Sequence, residues 1–443
     1  MEKIVTDQKV KFITLGCKVN QYETQGMRED LHRAGVIEDR KKKSNHDFVV
    51  INTCTVTEQA DKESRYWIRR MKRENPAAKI VVTGCYVEKN RKEIEALEGV
   101  DLVLSNHEKA DLTDHLLTGC GSPLSQDEEV LRRKKRVFTP LKISTFQGNG
   151  RAFIKVQDGC NHSCSFCKTV IVRGRSRSRQ VQDVYEEAIR LKDAGYREIV
   201  FTGIQLGAYG LDLDKEDALS EILEECSKIE GIERLRLSSI EPTDVKDSLI
   251  KTLKFLPKAC HHLHIPLQSG DDEILKKMNR RYEAAFYVDL IERLRAELPK
   301  FSLSLDVMTG FVGETEKQFE RSLSVLKKTR PLKCHVFPYS PREGTRAYDY
   351  EEQLPIEEIR ERSRRMIAVA DDLGYKERER YVGETVNVLV EKKIENSGLV
   401  HGLTDNYLKV CFQAREDQVG EIFPVELLSL EGDTFLGSIS TLK

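Results

Sequence analysis

No apolar run in this 443-residue sequence approaches the roughly 20 residues that span a bilayer, and the mean hydropathy is -0.49. Residues 1–8 lack the apolar core of a signal peptide. Excess charge is missing too. Lysine and arginine number 72 against 73 for aspartate and glutamate, a formal net charge of -1, so any footprint for nucleic acid has to be local. The 11 cysteines are odd in number and scattered through a long chain, which excludes a disulfide framework. These absences predict reduced thiols, a cytoplasmic location and no membrane partner. No Ser/His/Asp constellation for acid–base or nucleophilic catalysis stands out. The length allows two or three domains, each burying its own core.

What is present is a knot of cysteine. Gly159-Cys160-Asn161-His162-Ser163-Cys164-Ser165-Phe166-Cys167 holds three thiols within eight positions, and packing gives no reason for them. A structural zinc site wants four protein ligands, usually as two separate knuckles. Three thiolates can instead hold a four-iron cluster and leave one iron open. A zinc knuckle or redox pair completed by a distant residue is the alternative, and His162 keeps it open. The spacing, with an aromatic before the last cysteine, resembles the signature of radical S-adenosyl-L-methionine (SAM) enzymes. That resemblance implies a [4Fe-4S] cluster on Cys160, Cys164 and Cys167, with SAM chelating the open iron and being cleaved by one electron to a 5′-deoxyadenosyl radical.

Three runs in the first third of the chain, 11–17, 47–54 and 78–85, are short, apolar and β-branched, and each ends on a cysteine. Helix-like stretches at 22–34 and 58–74 separate them. Short buried strands alternating with helices predict a parallel α/β sheet whose carboxyl edge binds ligands. Cys17, Cys54 and Cys85 then converge at one edge as a second metal site, the alternative being three small buried hydrophobes. Leu15-Gly16-Cys17-Lys18-Val19-Asn20, Asn52-Thr53-Cys54-Thr55-Val56-Thr57 and Thr83-Gly84-Cys85-Tyr86, followed by the Cys160 loop, resemble the methylthiotransferase family in that order. With Gln21-Tyr22-Glu23-Thr24 they resemble its MtaB branch. The resemblance implies a second [4Fe-4S] cluster on Cys17, Cys54 and Cys85 that presents the transferred sulfur.

From residue 151 strands and helices alternate six times, with strands predicted at 152–156, 198–202, 235–239, 262–266, 303–309 and 334–339. Helices are predicted at 184–194, 218–229, 245–256, 272–298, 316–329 and 356–380. Six β/α units predict a partial TIM-like (β/α)6 barrel, with its chemistry in the loops after the strands. The resemblance implies that Phe166, Gly203, Ser239 and Gln268 contribute to a SAM pocket; a turn or cap role is the alternative for each. Two places depart from the family pattern: Lys168-Thr169-Val170 lacks its proline, and Val312 replaces the proline of a Gly-Phe-Pro-Gly-Glu-Thr turn. The four arginines of 173–179 read as an RNA-backbone contact, a contact with the SAM carboxylate or simple solvation being the alternatives.

After residue 381, short strands broken by Gly, Asn and Asp predict a small all-β barrel. Gly402-Leu403-Thr404-Asp405-Asn406-Tyr407 resembles the TRAM domain, an OB-like RNA-binding module. Tyr407 is a candidate for stacking on bases and Phe412 for filling the barrel, and a capping domain packed on the central barrel is the alternative for the whole segment. The expected domains are residues 9–121, a linker at 122–145, the radical SAM core at 146–378 and the TRAM domain at 379–443. The resemblance implies transfer of a methylthio group to N6-threonylcarbamoyladenosine at position 37 in the tRNA anticodon loop, with an electron donor and a sulfur source as further partners. Isopentenyladenosine in tRNA, a ribosomal protein, or a non-catalytic RNA-binding iron–sulfur role are the alternatives.

Overall fold

The computed structural model describes residues 7–41, 45–117, 138, 141–146, 148, 150–395 and 397–440. Cys120, Lys42, Lys43, the acidic patch at 127–129 and the basic run at 132–136 lie outside them.

The N-terminal sheet contains β1 (Lys9–Thr14), β2 (Ile37–Glu38), β3 (Phe48–Thr53), β4 (Lys79–Gly84) and β5 (Leu102–Leu104). All pairs are parallel, in the order β2-β1-β3-β4-β5. The central strand β3 is buried at every position, which is why it reads as a continuous apolar run rather than an alternating one. Helix α1 (Lys18–Arg33) follows β1, α2 (Glu58–Glu74) follows β3 and α3 (Cys85–Glu95) follows β4. Thr57 caps α2 by accepting the Ala60 N–H, an interaction worth about 1 kcal/mol. Register pairs Thr14 with Asn52 and Thr53 with Gly84, so the three strands end level and their cysteines emerge side by side.

The central unit is built on β6 (Arg151–Lys155), β9 (Glu198–Thr202), β10 (Arg234–Leu237), β11 (His262–His264), β12 (Ser302–Thr309) and β13 (Lys333–Pro338), with a short β7–β8 pair (Gln157–Asp158 and Arg177–Ser178) between the first two. Two three-stranded parallel sheets are joined by bridges between Leu235 and Ala259 and between Ser239 and His264. The result is the open six-unit barrel that the β/α alternation predicted. One helix differs. The pattern at 272–298 is split into Asp272–Lys277 and Ala284–Glu297. Asn279 takes a left-handed φ of 59°, and its amide donates to both the carbonyl and the hydroxyl of Ser163. Contact with the cysteine loop outweighs continued helix.

The last five strands, β14 (Thr385–Lys393), β15 (Leu399–Thr404), β16 (Lys409–Gln413), β17 (Ile422–Glu431) and β18 (Thr434–Ile439), close into a barrel. Phe412 is in its core, as expected. Tyr407 corrects the base-stacking expectation: its ring stacks on His262 at 4.4 Å, and the Arg151 and Arg236 guanidiniums lie 5.5 and 5.0 Å from its centroid. Around it Arg236 donates to the Thr404 and Asp405 carbonyls and Arg234 to those of Leu403 and Asn387. The Asp405–Tyr407 turn thus plugs the amino-terminal mouth of the central barrel, and this face of the small barrel is the capping surface. Among the described residues no helix is long and apolar enough to cross a membrane.

Glu198 anchors the junction. It is fully buried and meets Arg151, Arg234 and Arg236. Burial alone would raise its pKa, but Arg236, Arg151 and Arg234 more than offset that and hold it at about 2. A carboxyl depressed in the fold stabilises it above its ordinary value near 4.5, and the contribution is lost as pH falls from there towards 2. Glu198→Gln leaves three arginines short of their anion, and the expected cost is about 3–5 kcal/mol. Thermal melts of the metal-free chain between pH 3 and 7 check this: wild type loses stability across that acid limb, and the variant starts lower and changes less.

Candidate functional site

The carboxyl edge of the N-terminal sheet faces the carboxyl mouth of the central barrel across one cavity of about 240 Å³. Its wall includes Cys17, Cys54 and Cys85 from the sheet and Phe166 and Cys167 from the barrel loop. Gly84 makes the sheet side possible. Its φ is +105°, and a Cβ there would stand 2.3 Å from the Thr53 carbonyl oxygen, so only glycine lets β4 turn sharply enough to put Cys85 beside Cys54. Gly159 does the same for the loop, with φ +75° and a Cβ position 2.0 Å from the Arg175 carbonyl oxygen.

Each triad has its own donors. The His162 N–H reaches Cys160 Sγ at 3.3 Å, the Thr169 N–H reaches Cys167 Sγ at 3.4 Å, and Arg280 reaches Cys164 Sγ at 3.3 Å. Arg280 also pairs with Glu241. Across the cavity Arg173 Nε lies 3.2 Å from Cys85 Sγ. Burial pushes the Cys54 and Cys160 thiols up to about 12, against the backbone hydrogen bonds from Val56 and His162 respectively, which favour thiolate. A bound metal reverses that balance by displacing the protons. Among the described residues no group of three or more His, Cys, Asp or Glu side chains is placed to hold a single ion. Three soft donors per triad, each triad provided with N–H groups, fit a cluster.

Below the cavity lies a buried ionic network that the sequence reading missed. Glu23 receives Lys109, Lys155 and Arg173, and Asp158 receives Lys155, Arg173 and Arg177. Burial would raise the Glu23 carboxyl, but Arg173, Lys109 and Lys155 hold it well below the usual carboxylate range. Arg179 is likewise buried, on Glu187 and Tyr22. The expected RNA-backbone role of the 173–179 arginines is therefore corrected: Arg173 and Arg179 tie the N-terminal unit to the barrel, Arg177 is buried on Asp158 within the central unit, and Arg175 alone is exposed. The motif Gln21-Tyr22-Glu23-Thr24 carried a usable signal, a tyrosine and a glutamate buried side by side in α1.

Of the four SAM candidates, Phe166 and Gln268 line the cavity and Gly203 and Ser239 do not. Gln268 has φ +63° and accepts the Met308 N–H. The missing Cβ of Gly203 leaves room for Gln157, whose Oε1 accepts the N–H groups of Ile204 and Gln205. Ser239 is exposed at the end of β10. Where the family pattern has proline, Thr169–Arg173 form a short helix and Val312 is buried beside Phe311. The Gly310–Thr315 turn leads into a helix closed by a Thr315/Gln318 capping box.

This architecture is that of the Radical SAM superfamily, which matches residues 154–326, with a TRAM domain at 379–431 and Uncharacterized protein family UPF0004 at 9–105. A solved cobalamin-containing radical SAM methyltransferase, TsrM from Kitasatospora setae, shares the fold at a TM-score of 0.54 and 16% identity, with 77% of each chain covered. The threonylcarbamoyladenosine tRNA methylthiotransferase MtaB of Bacillus subtilis (strain 168) is 39% identical over 95% of this chain and 93% of its own. MtaB of Thermotoga maritima is 36% identical over 95% and 94%, and a tRNA-2-methylthio-N(6)-dimethylallyladenosine synthase of Clostridium tetani is 31% identical over 95% of both. The chain belongs to the methylthiotransferase family of radical SAM enzymes, in its MtaB branch.

Proposed function

We infer that the protein transfers a methylthio group to C2 of N6-threonylcarbamoyladenosine at position 37 of tRNA. The observation that carries this reading is one cavity walled by Cys17, Cys54 and Cys85 on the sheet side and by Cys167 of the barrel loop on the other. Cys160, Cys164 and Cys167 would hold the cluster that binds SAM, and Cys17, Cys54 and Cys85 the one that presents sulfur. Loaded, these groups supply the radical that removes the C2 hydrogen and the sulfur that replaces it, a substitution at a C–H bond inert to acid–base catalysis. An electron donor and a sulfur source come from outside the chain, and the setting is the cytoplasm.

The chain's own part is to bind, orient and keep water out. Val172, Ile204, Met308 and Phe337 give the cavity apolar walls for a base turned out of the loop. Phe166 and Gln268, which line the cavity, would contact SAM, and Gly203 and Ser239 would shape the strand ends behind them. Lys168 and Arg342 also line the wall. Arg342 gives one NH2 group to Thr55 and Asp61 and leaves its buried Nε without a partner. These cations suit the carboxylate of a threonylcarbamoyl group and have no counterpart in an isopentenyl one, which favours the first substrate.

Expression in a host lacking the modification, followed by mass spectrometry of digested tRNA, tests the reading. The expected product is the 2-methylthio derivative of threonylcarbamoyladenosine, absent with Cys160→Ala. A methylthio group on isopentenyladenosine instead, or no change in cells with loaded clusters, would overturn it.

A further inference from the structure

The burial of Arg173, Arg177 and Arg179 removes the basic surface expected beside the cysteine loop, and the structure offers another. Helix α2 carries a groove lined by Lys62, Arg65, Tyr66, Arg69, Arg70 and Arg73, with no acidic residue in its lining. Lys62, Tyr66, Arg69 and Arg73 are four, three and four residues apart, so they share one face of the helix. The rise of 1.5 Å per residue sets Lys62 and Arg69 about 10 Å apart and Arg69 and Arg73 about 6 Å apart along the axis. Tyr66 is 52% exposed, and the Arg70 guanidinium lies over Trp67 and Tyr66, at 4.8 and 5.9 Å.

The acids near the stripe do not neutralise it. Glu58 pairs with Lys62 at 2.8 Å, Glu74 with Arg70 at 2.7 Å and Glu93 with Arg65 at 3.6 Å. These pairs sit at the surface and contribute little, so each cation can exchange its carboxylate for another anion. Glu63 is exposed on the same helix, and Lys72 is taken by Asp101. Arg69 and Arg73 are exposed and have no ion pair among the described residues.

Position gives the stripe its meaning. The residues leading into α2, Cys54, Thr55, Val56 and Thr57, line the cavity, and Val56 is 71% exposed at its mouth. A nucleotide turned into the cavity leaves its flanking backbone at that mouth, where α2 begins and runs outward for 17 residues, about 25 Å. We propose that this face of α2 is the docking surface for the sugar–phosphate backbone of the tRNA anticodon stem-loop. Lys62, Arg69 and Arg73 meet phosphates, and Tyr66 packs against ribose or a base. The proposal rests on the tRNA reading above and extends it to a surface.

The test uses the full, cluster-loaded chain and a labelled anticodon stem-loop RNA carrying threonylcarbamoyladenosine, followed by fluorescence anisotropy across a salt series. The paired variant Arg69→Glu with Arg73→Glu is expected to bind at least about tenfold more weakly at low salt. The slope of log affinity against log salt should fall by roughly 1 to 2. Lysine at the same two positions should retain binding. Iron content and SAM cleavage without RNA should match wild type, since neither residue touches the site. Wild-type affinity and slope in the glutamate variant would overturn the docking surface while leaving the tRNA reading intact. A wild-type chain that does not bind the stem-loop would overturn both.

Discussion

Replacing Cys17, Cys54 and Cys85 together by alanine is expected to leave reductive SAM cleavage to 5′-deoxyadenosine near the wild-type level while methylthio transfer falls to background; Cys160→Ala is expected to abolish both. The separation follows from how each triad is held. The barrel loop hangs from the end of β7, with Ser165 bound to the Met278 and Lys277 carbonyls and Asn279 on Ser163, and none of these anchors touches the N-terminal sheet. The sheet triad depends on the level ends of β1, β3 and β4. A polar link between the two is Arg173, which leaves the helix after Cys167 to reach Cys85 and Glu23. Cys54 and Cys85 are buried, so truncating them costs about 1 kcal/mol each by lost packing. That is too little to unfold the sheet. Anaerobic turnover with a chemical reductant, read for 5′-deoxyadenosine and for modified nucleoside in the same sample, separates the two outcomes. Loss of SAM cleavage in the N-terminal variant would mean that the triads form one inseparable site.

The second large effect is expected from a single methyl group. Gly84→Ala places a Cβ against the Thr53 carbonyl, and Gly159→Ala places one against that of Arg175. Both contacts are to backbone, and both positions have positive φ, so no side-chain adjustment relieves them. Each variant should lose roughly 3 kcal/mol or more of stability in melts of the metal-free chain. Each should also bind about half the wild-type iron, because the strain falls where one triad is assembled and not the other. Gly84→Ala should keep SAM cleavage, and Gly159→Ala should lose it. A variant that loads and melts like wild type would show that the backbone at that cysteine has more freedom than the geometry allows.

Much of this was legible because it is local. The runs ending at Cys17, Cys54 and Cys85 declare buried strands, and six β/α units declare a barrel whose loops carry the chemistry. What escaped the sequence depends on partners far along the chain. Arg173 looks like a solvated cation until Glu23, 150 residues away, is seen beneath it. Tyr407 in a turn beside Asn406 suggests an exposed stacking ring, and only the barrel mouth with His262 and Arg236 explains its burial. The helix pattern at 272–298 is periodic throughout. Its break at Asn279 comes from hydrogen bonds to Ser163, 116 residues away, and only asparagine's tolerance of left-handed φ hinted at it. The charge of α2 was visible, but whether it was a stripe or a scatter depended on which face packed inward. Ile68 and Met71 settle that by burying the opposite side.

The most direct test of two triads serving one cavity is a count of iron, acid-labile sulfide and zinc in the anaerobically reconstituted chain, with Mössbauer spectra of the wild type and of the Cys17/Cys54/Cys85 variant. Two [4Fe-4S] clusters mean about eight irons per chain, falling to about four when the N-terminal cysteines are gone, with no zinc in either. Four irons in the wild type, an unchanged count in the variant, or stoichiometric zinc at the N-terminal triad would contradict the account.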